Sequence, residues 1–366
     1  MKYEKFFFFG CWNYDNCGKT DNRNSVINMI ASEKYSYDFG IVAGDNIYSR
    51  KMVDESGIET KHMYDETIGN ISILLKKLVK PISPFLYVIL GNHDEESDCI
   101  LKREVEQISM VPNTRFFLRN TRHSIVERPL AYYIYLNTNE QHIDDLKLFL
   151  ISLLNEDLDK QKWLIFIGHE PIYSLKYKEK EGKIKKLTEL DEGLIQIFYD
   201  LQVVKNLKKM VYLCADTHNF QLLNIRSFVN NFNLPVLVSG TGGAKLDNIF
   251  QPDINIRNNG EYNTNQIESP NKSFGTKDKL YRIRLEHGLK KHGYSSITVT
   301  KTSILVQFKT CTDIFNYKIK FKHGKTFITK NKKKTKNKSA KCIKIKEACL
   351  KKTVGCIKTK KKKTKK

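Results

Sequence analysis

The chain alternates between short unbroken apolar runs and polar, glycine-bearing stretches. Phe6–Phe9, Phe39–Ala43, Tyr87–Leu90, Leu164–Ile167, Val211–Cys214 and Val236–Ser239 are runs of four or five, bounded by Gly or Asp. Runs of that length read as strands buried on both faces. Between several of them the apolar period changes to that of a helix. Asn24–Lys34 follows the first run, Tyr64–Leu78 carries Ile68, Ile71, Leu74, Leu75 and Leu78, Ile143–Leu154 carries Leu146, Phe149, Leu150 and Leu153, and Leu190–Leu201 carries Leu194, Ile197, Phe198 and Leu201. Strands alternating with helices predict an α/β sheet architecture covered on its outer faces. Later, Tyr294–Thr300 and Ser303–Thr310 alternate around Lys301-Thr302, which predicts a hairpin. Ile249 to Lys279 is rich in Asn, Gly, Ser and Pro and reads as a long surface loop.

Charge divides the chain. The net formal charge is +23 over 366 residues, but Lys330 to Lys366 alone holds 18 lysines against one acid, Glu347. The expectation is a mildly basic folded body, residues 1–325, and a disordered Lys-rich tail, residues 330–366. The tail has no interleaved aromatics for base stacking, so it suits non-specific contact with an anionic polymer or anionic membrane surface, or nuclear import. Its cysteines at 342, 349 and 356 recur every seven residues, read as a decayed low-complexity repeat. No apolar run is long enough to span a membrane. Phe6–Phe9 is too short for a signal-peptide core and no small-residue cleavage site follows. Eight cysteines without a C-x-x-C pair exclude zinc-finger and thioredoxin-type motifs. Their low density suggests a reducing compartment, cytoplasmic with nuclear entry as an alternative.

The chemistry sits where the strands end, which is where open α/β sheets bind ligands. Successive runs finish in Gly10-Cys11-Trp12-Asn13, Gly44-Asp45-Asn46-Ile47-Tyr48, Gly91-Asn92-His93-Asp94, Gly168-His169-Glu170-Pro171 and Ala215-Asp216-Thr217-His218-Asn219-Phe220-Gln221. Three of the nine histidines (93, 169 and 218) fall in these five segments, while 62, 123, 142, 287, 292 and 323 read as surface or packing residues. A lone histidine after a strand is most often structural. Five consecutive ends bearing O, N or S donors instead make a site for divalent or trivalent metals, and two metals can clamp a phosphoryl group and activate water.

The ordered series G-D-x-x-Y, G-N-H-D, G-H-x-P, x-x-x-H-N-x-Q resembles the calcineurin-like metallophosphoesterase family and is most similar to its purple acid phosphatase branch. The resemblance runs from Phe6 to about Phe308, including Val238–Gly243 and the late hairpin. It implies a fold of two packed, mostly mixed β-sheets flanked by helices. By the same resemblance Asp45 bridges two metals. Cys11, Tyr48 and His218 bind the first, and Asn92, His169 and Asp216 bind the second. His93 contacts phosphate. The metals implied are iron paired with zinc, manganese or a second iron, and the substrate a phosphorylated small molecule or phosphoprotein.

Three positions depart from the pattern. Cys11 stands where the family has Asp, and Asp216 where it has a first His. A thiolate favours softer metals and a carboxylate harder ones; Asp15 offers an alternative oxygen. No histidine follows the G-H-x-P segment to protonate a leaving group, which leaves Tyr177 and Lys178 as candidates of high ordinary pKa. Gly240–Gly243 is a candidate phosphate cradle or simply a turn. The leading expectation is a metal-dependent phosphatase cleaving monoesters by water attack. Its alternatives are a catalytically degenerate binding scaffold and a phosphodiesterase or nuclease recruited by the tail.

Overall fold

The computed structural model describes residues 2–13, 21–33, 36–48, 50–53, 59–63, 71–79, 82–96, 98–116, 123–176, 178–180, 183–185, 188–189, 192–227, 231–249, 261–262, 281–330 and 335–336. Two large mixed sheets pack face to face. The first runs in the order Lys325–Lys330, Asp313–Lys322, Ser303–Lys309, Tyr294–Val299, Glu4–Phe9, Tyr37–Ala43, Ile82–Ile89, Thr114–Phe116. Its second half is parallel, while Glu4–Phe9 meets Tyr294–Val299 antiparallel. The second runs Glu261–Tyr262, Tyr281–Leu289, Phe220–Ser227, Asn233–Ser239, Met210–Cys214, Trp163–Ile167, Ala131–Leu136, His123–Glu127. Met210–Cys214 lies parallel to both of its neighbours at the centre of that sheet.

Strand alternation sorts the side chains into layers. Phe6, Phe8, Phe39, Ile41, Tyr133, Ile165, Leu213 and Leu222 point between the sheets and form one buried core. Phe7, Phe9, Val42 and Val88 point outward against Val26, Ile27 and Ile30 of helix Asp21–Ser32 and Leu74, Leu75 and Leu78 of helix Ile71–Val79. On the far side Ile134, Leu164, Phe166 and Tyr212 meet Leu146 and Leu150 of helix Ile143–Ser152 and Leu194 and Phe198 of helix Glu192–Tyr199. Both faces of the central strands are therefore apolar, which explains the unbroken runs in the sequence.

The late hairpin forms as Tyr294–Val299 and Ser303–Lys309. The helix expected over Tyr64–Leu78 is described from Ile71, and residues 64–70 lie outside the described residues. Within the segment expected to be loop, Glu261–Tyr262 is a short strand paired with Tyr281–Leu289. The composition break near residue 330 falls at the end of a strand, and Thr335–Lys336 pairs with Asp313–Ile314; residues 337–366 lie outside the described residues. Cys311 is disulfide-bonded. Cys11 and Cys214 are free and buried.

Candidate metal centre

The parallel strands of the two sheets deliver their carboxyl ends to one edge, and the loops there interlock. Trp12 Nε1 donates to Asn46 Oδ1 (2.9 Å), and Asn46 Nδ2 donates to Ile89 O (3.0 Å) and Asp94 Oδ2 (3.2 Å). Asp94 also accepts from Gly91 N (2.7 Å) and Ile47 N (2.9 Å). Burial, with Asp45 nearby, raises Asp94 to about 7. It acts as the staple between the second and third loops. At Gly44, φ is +77°, and an added Cβ would lie 2.5 Å from His169 Nδ1. At Gly91 a Cβ would lie 2.3 Å from Asp45 N. Neither loop could approach the other with a side chain at these positions.

Cys11, Asp45 and Asp216 all adopt positive φ, at 52°, 53° and 34°. Non-glycine residues in that region carry strain that the surrounding fold must hold in place. Three of the six such residues described are thus proposed ligands, each just past a strand end.

Six of the seven ligands named from sequence are brought together, with His93 beside them. The ligand atoms of Cys11, Asp45 and His218 lie within 4.8 Å of one another. Tyr48 OH donates to Asp45 Oδ2 (2.9 Å) and lies 3.4 Å from His218 Nε2. Across Asp45, its Oδ1 lies 3.1 Å from His169 Nε2, which is 3.2 Å from Asn92 Oδ1. His93 N donates to Asp45 Oδ1 (3.3 Å), and the His93 ring packs 4.7 Å from that of Tyr48. Asp45 thereby faces two donor groups, one through each oxygen. Asp216 sits at the margin, where its Oδ2 lies 3.8 Å from Lys176 Nζ. Tyr177 lies outside the described residues, as does Asp15, and only the backbone of Lys178 is described, in the strand Lys178–Lys180.

The two histidines have the arrangement of metal ligands. His169 Nδ1 is 2.7 Å from Ala43 O, and His218 Nδ1 is 2.9 Å from Lys245 O. A carbonyl there fixes the proton on Nδ1 and presents the Nε2 lone pair to the centre. The donor set of thiol, phenol, carboxylate, imidazole and amide fits transition metals.

Electrostatics agree. Burial, then Asp45 and Asp216, pushes the Cys11 thiol well up. Burial, then Asp45 and Cys11, does the same to the Tyr48 phenol. Asp45 is held below the usual carboxylate range because His169 outweighs its burial. In turn Asp45 outweighs the burial of His169 and raises it to about 10. Asp45 and Asp216 concentrate negative potential on the buried thiol, which a cation would relieve.

Several residues at the centre escaped the sequence reading. Lys176 and Asp247 pair at 3.3 Å. Asp247 Oδ2 also accepts from His218 N (3.1 Å), and Asp247 N donates to His218 O (2.9 Å). Gln221, seen only as the end of a motif, brackets the backbone of Leu175, accepting from its N and donating to its O at 2.9 Å each. Beside Asn92 opens a cavity of about 470 Å³ lined by Glu95, Asn139, Glu140, Gln141 and Glu170. Burial raises Glu170 there to about 7. The Gly240–Gly243 turn is not a free cradle. Gly242 N donates to Gly10 O (3.1 Å) and Ala244 N to Cys11 O (3.0 Å), so the turn buttresses the first loop instead.

The sequence pattern of the calcineurin-like phosphoesterases matches residues 5–240. The fold is similar to that of GAP50, the anchor in the inner membrane complex of Plasmodium, with TM-score 0.50, 15% identity, 90% of this chain and 89% of that one covered. It is also similar to PhoD, with TM-score 0.56, 13% identity and coverage of 91% and 72%. A cytoplasmic isoleucine–tRNA ligase of Caenorhabditis elegans is 25% identical over 208 residues. That match spans 45% of this chain and 18% of the ligase. Among the described residues no helix is long and apolar enough to cross a membrane.

Proposed function

The chain belongs to the calcineurin-like phosphoesterase family, and from that premise we propose that it hydrolyses phosphate monoesters at this centre. The observation that carries the reading is the convergence of Cys11, Asp45 and His218 within 4.8 Å, with both histidine rings anchored through Nδ1. Cys11, Asp45, Tyr48 and His218 would hold one metal. Asn92 and His169, with Asp216 at the margin, form the second set around Asp45. The ions of such a family polarise phosphoryl oxygen and supply hydroxide at neutral pH.

The chain's own residues do the rest. His93 Nδ1 lies 2.6 Å from Glu96 Oε1, which leaves Nε2 to face a bound phosphoryl group. Glu96 and Asp45 outweigh the burial of His93 and raise its pKa. The cavity beside Asn92 is walled by carboxylates and carboxamides, which supports a polar ester group from a small molecule or a phosphorylated side chain. The test is aryl phosphate hydrolysis by metal-loaded protein containing iron, zinc or manganese. Loss of turnover in Asp45→Asn and His93→Ala supports the reading; equal turnover in wild type and both variants sinks it.

A second reading, a degenerate scaffold, draws on Asp216 pairing with Lys176 and on the similarity to an anchor protein. Its signature is a folded protein that takes up no stoichiometric metal. We assign the Lys-rich tail non-specific contact with anionic polymers or surfaces. A diester cleavage that falls on deleting residues 337–366 would turn the reading from monoesterase to tail-recruited nuclease.

A further inference from the structure

Lys176 occupies an unusual place for a lysine beside a metal centre. Its Nζ lies 3.8 Å from Asp216 Oδ2 and 3.3 Å from Asp247 Oδ2, and its side chain is only 15% exposed. The lysine is not free to wander. Gln221 clamps the backbone of the preceding Leu175 from both sides, at 2.9 Å each. Before that, Ser174 Oγ and Thr217 Oγ1 lie 2.6 Å apart, which ties this segment to the loop that carries Asp216. Asp247 is fixed by reciprocal bonds with the backbone of His218. Among the described residues, the ligand atoms of Cys11, Asp45 and His218 lie within 4.8 Å of one another, and Asp216 does not join that group.

We propose that the centre takes one tightly held metal, at Cys11, Asp45, Tyr48 and His218, and that the Lys176 ammonium supplies the charge a second metal would bring. The inference rests on the metal-centre reading above and deepens it. An ammonium paired to Asp216 repels a second cation arriving at that carboxylate. It also presents N–H donors that a phosphoryl oxygen can use, so a bound phosphate is still met by positive charge from two sides. The Asp that replaces the family's histidine then has a purpose, because a carboxylate fixes an ammonium where an imidazole would not.

The full-length protein, stripped of metal and titrated with manganese and separately with zinc, tests this by elemental analysis and calorimetry. Wild type is expected to hold one ion per chain. Lys176→Met, which keeps the packing of the stem and removes the charge, should hold two, with the second ion gaining at least about tenfold in affinity. Lys176→Arg should remain at one. Two tightly held ions in wild type overturn the inference and leave the metal-centre reading standing, and no ion in wild type overturns both. A folded Lys176→Met protein that stays at one ion also overturns it. Should Lys176→Met fail to fold, the wild-type count still decides.

Discussion

Two clusters of ionisable side chains among the described residues differ in how their charges close. In one, the Glu33 carboxylate accepts from Lys309 Nζ (2.5 Å), Tyr294 OH (2.8 Å) and Tyr37 OH (2.7 Å). Every charge there has an opposite partner inside the protein. In the other, Asp45 accepts from Tyr48 OH and faces His169, but Cys11, His218 and Tyr48 turn donor atoms toward one another. Both clusters place a tyrosine hydroxyl on a carboxylate. Only the second holds its acids at positive φ, at Cys11 and Asp45, with Asp216 close by. Strain retained where the charges do not cancel marks a site built for something from outside.

The largest effect should come from removing the residue common to both halves of the metal centre. Asp45→Asn keeps the shape and removes the charge that Tyr48, His169 and His93 all address. Metal content should collapse and kcat/KM fall by about 10³-fold or more, while Glu33→Gln leaves turnover unchanged. Metal itself should separate the clusters next. Saturating metal at about a thousand times Kd raises stability by about 4 kcal/mol, and a chelator removes that gain. The gain should vanish in Asp45→Asn and persist in Glu33→Gln, read as the shift in thermal midpoint.

For the closed cluster the expected effect is on folding alone. Glu33→Gln leaves Lys309 buried without its counter-charge and should cost about 1.5–3 kcal/mol in urea denaturation. A pH dependence accompanies it. Lys309, Tyr37 and Tyr294 outweigh the burial of Glu33 and lower its pKa. A depressed carboxylate stabilises the fold above its unfolded pKa near 4.5, and that contribution disappears as pH falls through the folded value. Wild type should therefore lose stability on acidification faster than Glu33→Gln. Parallel curves would show that the cluster is not closed as described.

How legible these features were depends on their range in sequence. The strands could be read because both faces of Glu4–Phe9 and Trp163–Ile167 are buried, which leaves no polar position within Phe6–Phe9 or the latter strand. The donors could be read because each follows a strand end within a few residues. The Glu33 cluster could not, because its members come from residues 33, 37, 294 and 309, and none has a local pattern. Lys176 and Asp247 were missed for the same reason, as they meet only because the loops after two strands of one sheet converge. Asp94 stood inside a quoted motif, yet its role as a staple between two loops needs three-dimensional neighbours.

The smallest effect sharpens the comparison most, because it alters the open cluster without opening or closing it. Cys11 sits at φ 52°, where Asp is tolerated better than most residues. Cys11→Asp restores the oxygen donor that the family pattern has at this position and should leave the metal count unchanged. A thiolate prefers softer ions and a carboxylate harder ones, so the ratio of zinc to manganese affinity should fall by about tenfold, equivalent to about 1.4 kcal/mol. Competition between the two metals, followed by elemental analysis, reads this directly. Cys11 Sγ lies within 4.8 Å of the Asp45 and His218 ligand atoms, so an unchanged ratio would mean that the thiol is a spectator in the wall, and the open cluster would lose one of its donors.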